Sequence, residues 1–231
     1  MKNKNNFEDA FFCVEDSFQA FLVDGAKFTD VEEYPILRKD MVSTKLPKKI
    51  MHFSKAITYK GDLSETVIYF FSPDKTFERV RRNPRKYLTF FKHTAGIIGF
   101  DYSVHTDMPL IKQKSQMNDN LSLTYYFGNN GVPIYPAPRL GSDITIDDYL
   151  KAFPKNTLLA IGVNGFIKEK QEKYETYHDL GRIIGELQPS GLIVIGHLSN
   201  SLFDDFKTKT PFYFYDSFIE ERSKEVNRHG N

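Results

Sequence analysis

Short apolar runs alternate with longer segments of helical periodicity from about residue 51 onward. The runs have the length of β-strands and are apolar at consecutive positions, which is typical of parallel strands covered on both faces. This alternation predicts an α/β fold made of repeated right-handed βα units. The strand-length runs lie at 50–53, 67–71, 96–100, 132–135, 158–163, 192–195 and 212–215.

Helical patterns separate these runs, and residues typical of helix starts precede three of them. Ser72-Pro73 and Asp107-Met108-Pro109 each combine a capping side chain with a proline for the first turn. Thr145-Ile146-Asp147-Asp148 resembles a capping box with Asp in the place of Glu. We therefore expect helices in the following segments: 73–92, 108–127, 146–153, 169–187 and 201–206.

The regular succession of βα units favours a barrel-like arrangement or an incomplete βα barrel. A full eightfold barrel usually takes about 250 residues, and this chain has 231. The alternative is a doubly wound open parallel sheet.

The pattern divides the chain into three parts. Residues 1–50 are predicted to form an N-terminal amphipathic helix over 7–22, followed by an irregular segment with Pro35 and Pro47 that wraps the rest. Residues 51–221 form the βα-repeat domain, and the polar residues 222–231 are expected to fray.

Composition narrows the class of protein. Hydrophobic residues make up 40% and charged residues 26%, which is the balance of a globular domain. The 31 Lys and Arg against 30 Asp and Glu exclude bulk attraction to a polyanion. The single cysteine, Cys13, excludes an internal disulfide framework and a multi-cysteine zinc site. We find no targeting or membrane-spanning pattern, so we expect a cytoplasmic protein with no membrane partner.

Polar side chains follow the predicted strands, where the functional groups of α/β folds gather. Asp101, His197 and Asp216 are the candidate catalytic residues, as a general acid/base pair or as ligands of a divalent metal. Ser103 and Asn164 are candidate ligand-binding residues, and Arg139 is a candidate phosphate-binding residue. The alternative for each Asp, Ser or Asn is an ordinary turn or helix-capping role.

The segment 74–92 is the one strong local charge, with seven positive and two negative side chains. Arg81, Arg82, Arg85 and Lys86 could hold a phosphate backbone. The alternative is a solvated helix face. The common phosphate-loop, dinucleotide-binding, zinc-protease and hydrolase-elbow motifs are missing from the sequence, which disfavours nucleoside-triphosphate turnover and dinucleotide redox chemistry.

Several short motifs recur in a characteristic order along the chain: Phe70-Phe71-Ser72-Pro73-Asp74, Asn83-Pro84, Asp101-Tyr102-Ser103, Asp107-Met108-Pro109, Gly131-Val132-Pro133-Ile134, Pro154-Lys155-Asn156, Leu187-Gln188-Pro189 and Ile193-Val194-Ile195-Gly196. Through these motifs, residues 35–220 resemble the bacterial, plasmid and phage family called domain of unknown function 4417. The resemblance implies a gene carried on phages or mobile elements of low-GC Gram-positive bacteria, and it implies no particular reaction. Family members often carry Trp in the first helix and in the strand near Arg139, whereas this chain has 21 Phe, 13 Tyr and no Trp.

Two functions of different classes follow. The first is an enzyme acting on nucleic acid or a nucleotide in the cytoplasm of a bacterial host. The second is a non-enzymatic protein that binds a host protein and modulates host machinery or defence, with an aromatic-rich interface.

Overall fold

Seven parallel strands form the centre of the molecule. The computed structural model describes residues 19–163, 170–196, 203–220 and 222. Each of the seven apolar runs forms a strand, which confirms the α/β prediction. The strands are β1 (Lys49–His52), β2 (Thr66–Tyr69), β3 (Gly96–Ile98), β4 (Ile134–Tyr135), β5 (Leu158–Gly162), β6 (Gly191–Ile195) and β7 (Phe212–Tyr215).

Helices connect the strands as crossovers. The α-helices are α1 (Phe53–Ala56), α2 (Glu78–Arg82), α3 (Pro84–Phe91), α4 (Leu110–Asn129), α5 (Ile146–Leu150) and α6 (Lys170–Leu187). Short 3₁₀ turns lie at Ala20–Val23, Lys39–Met41, Asp74–Thr76, Asp143–Thr145 and Asp204–Phe206. The predicted single helix over 73–92 is wrong, because Pro84 cannot donate the backbone hydrogen bond that would continue α2. Asn83 instead caps α3 and accepts a hydrogen bond of 3.2 Å from the backbone N–H of Lys86.

The strands pair in two sheets, β1-β2-β3-β4 and β5-β6-β7, and the order in each follows the chain. A doubly wound sheet would reverse its order at one point, and neither sheet does so within the described residues. The ladders do not form one closed ring, so a barrel is not confirmed. One backbone hydrogen bond of 2.9 Å, from Ala160 N–H to the carbonyl of Pro136, joins the two sheets. The Tyr215 hydroxyl donates to the carbonyl of Pro47, before β1, at 2.8 Å.

Two apolar clusters cover the two faces of the strands. One cluster is lined by side chains from both sheets, and the other lies between the strands and the helices. The first contains Val67, Tyr69, Ile98, Tyr135, Leu158, Ala160, Ile193 and Ile195, with Ile50 and Tyr215 packed against it. The second contains a group of phenylalanines around Phe100, which stacks on Phe70 with ring centroids 4.2 Å apart.

The segment before β1 packs against α4, α5 and β4. Thr29 donates a hydrogen bond of 2.6 Å to the Asp148 carboxylate, and Glu32 pairs with Lys114 at 2.8 Å. A parallel bridge joins Val42 to Ile134. Most of the predicted helix over 7–22, Cys13 and most of the tail lie outside the described residues.

None of the helices in the described part of the chain has both the length and the apolar stretch needed to cross a bilayer.

Candidate functional site

Asp101 and Arg139 lie side by side at the carboxyl edge of the first sheet. Asp101 follows β3 and Arg139 follows β4, and these strands pair in parallel with Ile98 opposite Tyr135. Arg139 Nε lies 4.0 Å from Asp101 Oδ1. The Arg139 side chain is 40% exposed and the Asp101 side chain 18% exposed. The structure therefore brings together one predicted catalytic residue and one predicted phosphate-binding residue.

Neither charged group is held by a hydrogen bond to another described residue. The polar groups next to them, in contrast, form hydrogen bonds. Ser103, two residues beyond Asp101, donates from its backbone N–H and its hydroxyl to Asp74 Oδ1, at 3.1 and 2.9 Å. Asp101 and Arg139 therefore contact each other as a long ion pair, and both remain partly exposed.

Burial raises the pKa of Asp101, and the neighbouring Arg139 guanidinium opposes this increase only in part. The nearby Asp74 raises the Asp101 pKa further, and His105 lowers it. A second carboxyl behaves in the same way. Burial raises the pKa of Asp179 to about 6, against the lowering effect of Arg139 and His178. Arg139 therefore acts on two carboxyl groups, and the pKa of each is raised above that of an exposed aspartate.

Asp179 reaches this region because α6 docks on the segment 143–150. Arg182 of α6 forms an ion pair with Asp147. His178 Nε2 lies 4.0 Å from Asp143 Oδ1, and His178 Nδ1 lies 3.9 Å from Asp179 Oδ1. These contacts fix the helix that carries the second carboxyl.

Tyr149 adds a buried phenol to this region. Its side chain is fully buried, and its hydroxyl has no hydrogen-bond partner among the described residues. Burial raises the pKa of Tyr149. The Arg139 backbone and side chain lower this pKa, and Tyr34 and Asp101 raise it. The Tyr149 hydroxyl is therefore protonated at neutral pH and lies in the electrostatic neighbourhood of the Asp101–Arg139 couple.

Polar side chains of α4 hold the loop that carries Asp101. The Phe100 N–H donates to Thr124 Oγ1 at 3.2 Å. Asn120 binds both the N–H and the carbonyl of Tyr102, at 2.6 and 3.1 Å. The backbone is therefore fixed on both sides of Asp101, while its carboxyl makes only the long ion pair with Arg139 among the described residues.

Gln113 extends this support to the loop after β4. Its side-chain amide donates to the Met108 carbonyl at 2.7 Å and to Ser142 Oγ at 2.9 Å, and its oxygen accepts from Ser142 N–H at 2.7 Å. One buried side chain therefore ties the Asp101 loop to the loop that carries Arg139.

The basic segment borders the same loop. The Tyr102 hydroxyl donates to Glu78 at 3.0 Å, and Glu78 pairs with Arg81 at 3.4 Å and with Arg82 at 3.6 Å. Arg85 stacks over the ring of Phe21 at 4.4 Å. Arg82, Arg85 and Lys86 are exposed. Their role in binding phosphate stays a prediction.

The remaining predicted residues lie elsewhere or outside the described part. Asn164 and His197 are outside the described residues, so the metal hypothesis that includes His197 stays a prediction. No cluster of three His, Cys, Asp or Glu within the described ranges is arranged to hold a metal ion. Asp216 lines a cleft of about 340 Å³ whose lining includes neither Asp101 nor Arg139. That cleft is formed by Lys49, Ile50, Met51, Tyr59, Asp62, Thr66, Tyr215 and Asp216.

Sequence reasoning did not find Tyr149, Asp179, Gln113, Asn120 or Thr124. For the three α4 residues a signal exists, because they fall at helical spacing on the same face as Met117 and Leu121. Polar residues on an apolar helix face indicate buried hydrogen bonds. For Tyr149 and Asp179 no such local signal exists.

Comparison with known proteins gives one family and one phage relative. The sequence profile of a family described as a domain of unknown function (DUF4417) matches residues 28–215. The Gene 1 protein of Mycobacterium phage L5 is 24% identical to this chain over 131 residues, which is 57% of each protein. The match thus spans little more than half of that relative's length. No solved structure matches the chain.

Proposed function

This chain belongs to the family described as a domain of unknown function (DUF4417), and within that family we propose that it is an enzyme acting on a nucleotide or nucleic acid. The observation that carries the proposal is the Asp101–Arg139 couple, which has no hydrogen bond to a described residue although its surroundings are well satisfied. The similarity to a phage protein supports a role in a bacterial host, and we place the protein in the host cytoplasm.

The two groups suit different parts of one reaction. A guanidinium offers five donors in a planar fork, which matches the oxygens of a phosphate ester. Arg139 therefore binds the phosphate. Burial raises the pKa of the Asp101 carboxyl, which therefore binds a proton more readily than an exposed carboxyl, so Asp101 serves as the general acid or base.

The carboxyl groups around Arg139 set the pH dependence of binding. An ionised Asp101 or Asp179 competes with phosphate for Arg139 and repels it. The pKa of Asp179 is about 6, so protonation on going from pH 8 to pH 6 reduces this repulsion. Binding of a phosphodiester, whose own charge does not change over that interval, is therefore expected to become tighter.

A nucleic-acid substrate would make additional contacts with the basic segment. Arg81 and Arg82 border the Tyr102 loop through Glu78, so a strand bound at Arg139 can continue toward them and on to Arg85 and Lys86 of α3. Ser103 is engaged by Asp74 and would contact ligand only through its remaining hydrogen-bonding capacity. Asn164, His197 and Asp216 stay candidates for the rest of the site, with a divalent metal as the candidate cofactor.

Replacing Arg139 by alanine tests the site directly. The affinity for a nucleoside monophosphate and for a short single-stranded oligonucleotide is expected to fall by roughly 10- to 100-fold, as for a lost charged hydrogen bond. Calorimetric titration, with and without Mg²⁺ or Mn²⁺, measures this change. Asp101→Asn is expected to keep the binding and to lower turnover of the same substrate by roughly 100-fold or more.

Arg38→Ala is the matched control. The Arg38 side chain is similarly exposed, at 45%, but it is hydrogen-bonded to Asp40, Tyr125 and Asn129. Its replacement is expected to leave both affinities unchanged. A double change of Arg82 and Lys86 to Ala separates the two substrates, because it should weaken only oligonucleotide binding. Equal affinities of wild type and Arg139→Ala would overturn the proposal.

A protein-binding module is the second candidate function, and a different observation favours it. Large apolar side chains are exposed around the first turn of α4, namely Leu110, Ile111, Ile144 and Val31. The Gln113–Ser142 hydrogen bonds and the Lys114–Glu32 ion pair hold the segments that carry them together. Exposed apolar groups collected in one region mark interaction surfaces.

The double variant Ile111→Ser, Ile144→Ser tests this second candidate. A bacterial protein captured by the wild type, identified and then purified, is expected to bind the double variant at least roughly 10-fold more weakly, since each buried aliphatic side chain contributes about 1.5–3 kcal/mol. Leu46→Ser is the control, because Leu46 is exposed on the segment before β1. Equal affinity of the double variant for the purified partner would contradict a role for these side chains.

A further inference from the structure

The buried hydroxyl of Tyr149 is the polar group that the described contacts leave unexplained. No described residue accepts a hydrogen bond from it, although it lies in the electrostatic neighbourhood of Asp101 and Arg139. An unpaired buried hydroxyl lowers stability. A phenylalanine would fill the same space without that cost, so the hydroxyl needs a reason to be present.

From this arrangement we infer that the Tyr149 hydroxyl is a ligand-binding group, which donates a hydrogen bond to an oxygen of the phosphate ester held by Arg139. The inference rests on the proposed function and adds a third contact to it. With Arg139 as the cation and Tyr149 as a neutral donor, the site recognises an anionic oxygen at two points. Asp101 remains free for proton transfer.

Donation is the only role that the hydroxyl can fill toward an anion. The Arg139 backbone N–H can only donate toward the phenol oxygen, so the hydroxyl proton has no acceptor among the described residues. Phosphate oxygens are acceptors, and hydrogen bonds to an ionised acceptor are stronger than those between neutral groups.

The Tyr149 hydroxyl is buried, so a ligand reaches it only if a neighbouring side chain moves. Arg139 can make this movement, because it is partly exposed and its contact with Asp101 is as long as 4.0 Å. The backbone beneath it does not need to move. Gln113 and Ser142 hold the loop after β4 in place.

Tyr149→Phe separates a ligand-binding role from a structural one. Calorimetric titration with a nucleoside monophosphate and with inorganic phosphate is expected to show about a 10-fold loss of affinity for both. The same variant is expected to unfold at the same or a higher urea concentration than the wild type, because the removed hydroxyl has no partner. A structural hydroxyl would give the reverse result, with lower stability and unchanged affinity.

Tyr34→Phe is the matched control. Tyr34 is also buried, its ring packs edge-on against Tyr149 at 5.4 Å, and its hydroxyl donates to the sulfur of Met117 at 3.7 Å. Its replacement should leave phosphate affinity unchanged. If Arg139→Ala weakens binding and Tyr149→Phe does not, this inference fails alone. If neither variant changes binding, the proposed function fails with it.

Discussion

Replacing Gly196 by alanine is expected to destabilise the protein by about 3–5 kcal/mol, because a strained backbone angle and a steric clash add up at this position. Gly196 ends β6 with φ = +102°, a conformation that residues with a Cβ rarely adopt. A Cβ built there would lie 2.2 Å from the carbonyl oxygen of Val163. The clash is with backbone, so no side-chain rotation can relieve it. Urea denaturation measures the loss.

The Gly196→Ala substitution would disturb the carboxyl ends of three strands, β5, β6 and β7. Gly196 N–H donates to the Tyr215 carbonyl at 2.9 Å, and Val163 N–H donates to the Ile195 carbonyl at 2.8 Å. Moving Gly196 away from Val163 strains both hydrogen bonds. Because His197 is the next residue in the sequence, the change also tests whether this end of the second sheet contributes to the site.

Gly185→Ala is the matched control for Gly196→Ala. Gly185 lies within α6, and a Cβ there would meet no atom within 4 Å. The same substitution should therefore stabilise the protein by about 0.5–1 kcal/mol through helix propensity. Equal effects at the two glycines would contradict the steric argument.

The strands could be predicted from the sequence because burial on both faces leaves a direct trace. A strand such as Val67–Tyr69 in β2 must be apolar at consecutive positions, and chain order then gives the order within each sheet. The proximity of Asp101 and Arg139 follows from the same strand pattern. The ends of neighbouring parallel strands meet at one edge, so a polar residue after each strand falls near its neighbour.

Helix starts were located by their capping residues, but the predicted caps themselves are wrong. Pro73 and Pro109, rather than Ser72 and Asp107, occupy the N-cap positions, and the Thr145 side chain makes no capping hydrogen bond. Asp148, predicted to complete a capping box, binds Thr29 and the Glu32 N–H instead. A short polar side chain can form its hydrogen bonds with the backbone of its own helix or with a distant segment. Only tertiary packing decides between the two.

Tyr149 and Asp179 could not be predicted for a related reason. Both lie on helices, and which helix residues approach the strand ends depends on how α5 and α6 dock. That docking involves ion pairs between distant segments, such as Arg182 with Asp147. Asp216 illustrates the opposite case, because a strand-end position does not specify which cleft its side chain will line.

Truncation of Phe100 is expected to have the largest effect among the core residues. Phe100 directly precedes Asp101 and stacks on Phe70 and Phe127 with centroid distances of 4.2 and 5.7 Å. It is 1% exposed, so Phe100→Ala leaves a cavity that the surrounding rings cannot fill without moving. The expected loss is about 4 kcal/mol of unfolding free energy, a large fraction of the roughly 5–15 kcal/mol typical of a domain.

The same substitution tests whether the aromatic cluster or the α4 hydrogen bonds hold Asp101 in place. Alanine keeps the backbone N–H that donates to Thr124, so the loop retains its polar anchors while the ring is lost. Phosphate affinity measured at low temperature, where the variant remains folded, should then stay within about threefold of wild type, since the groups that we propose to contact phosphate are unchanged. Phe214→Ala, at a ring 40% exposed on β7, should cost only about 1 kcal/mol. A larger loss of stability at Phe214 than at Phe100 would show that the core is organised around the second sheet instead.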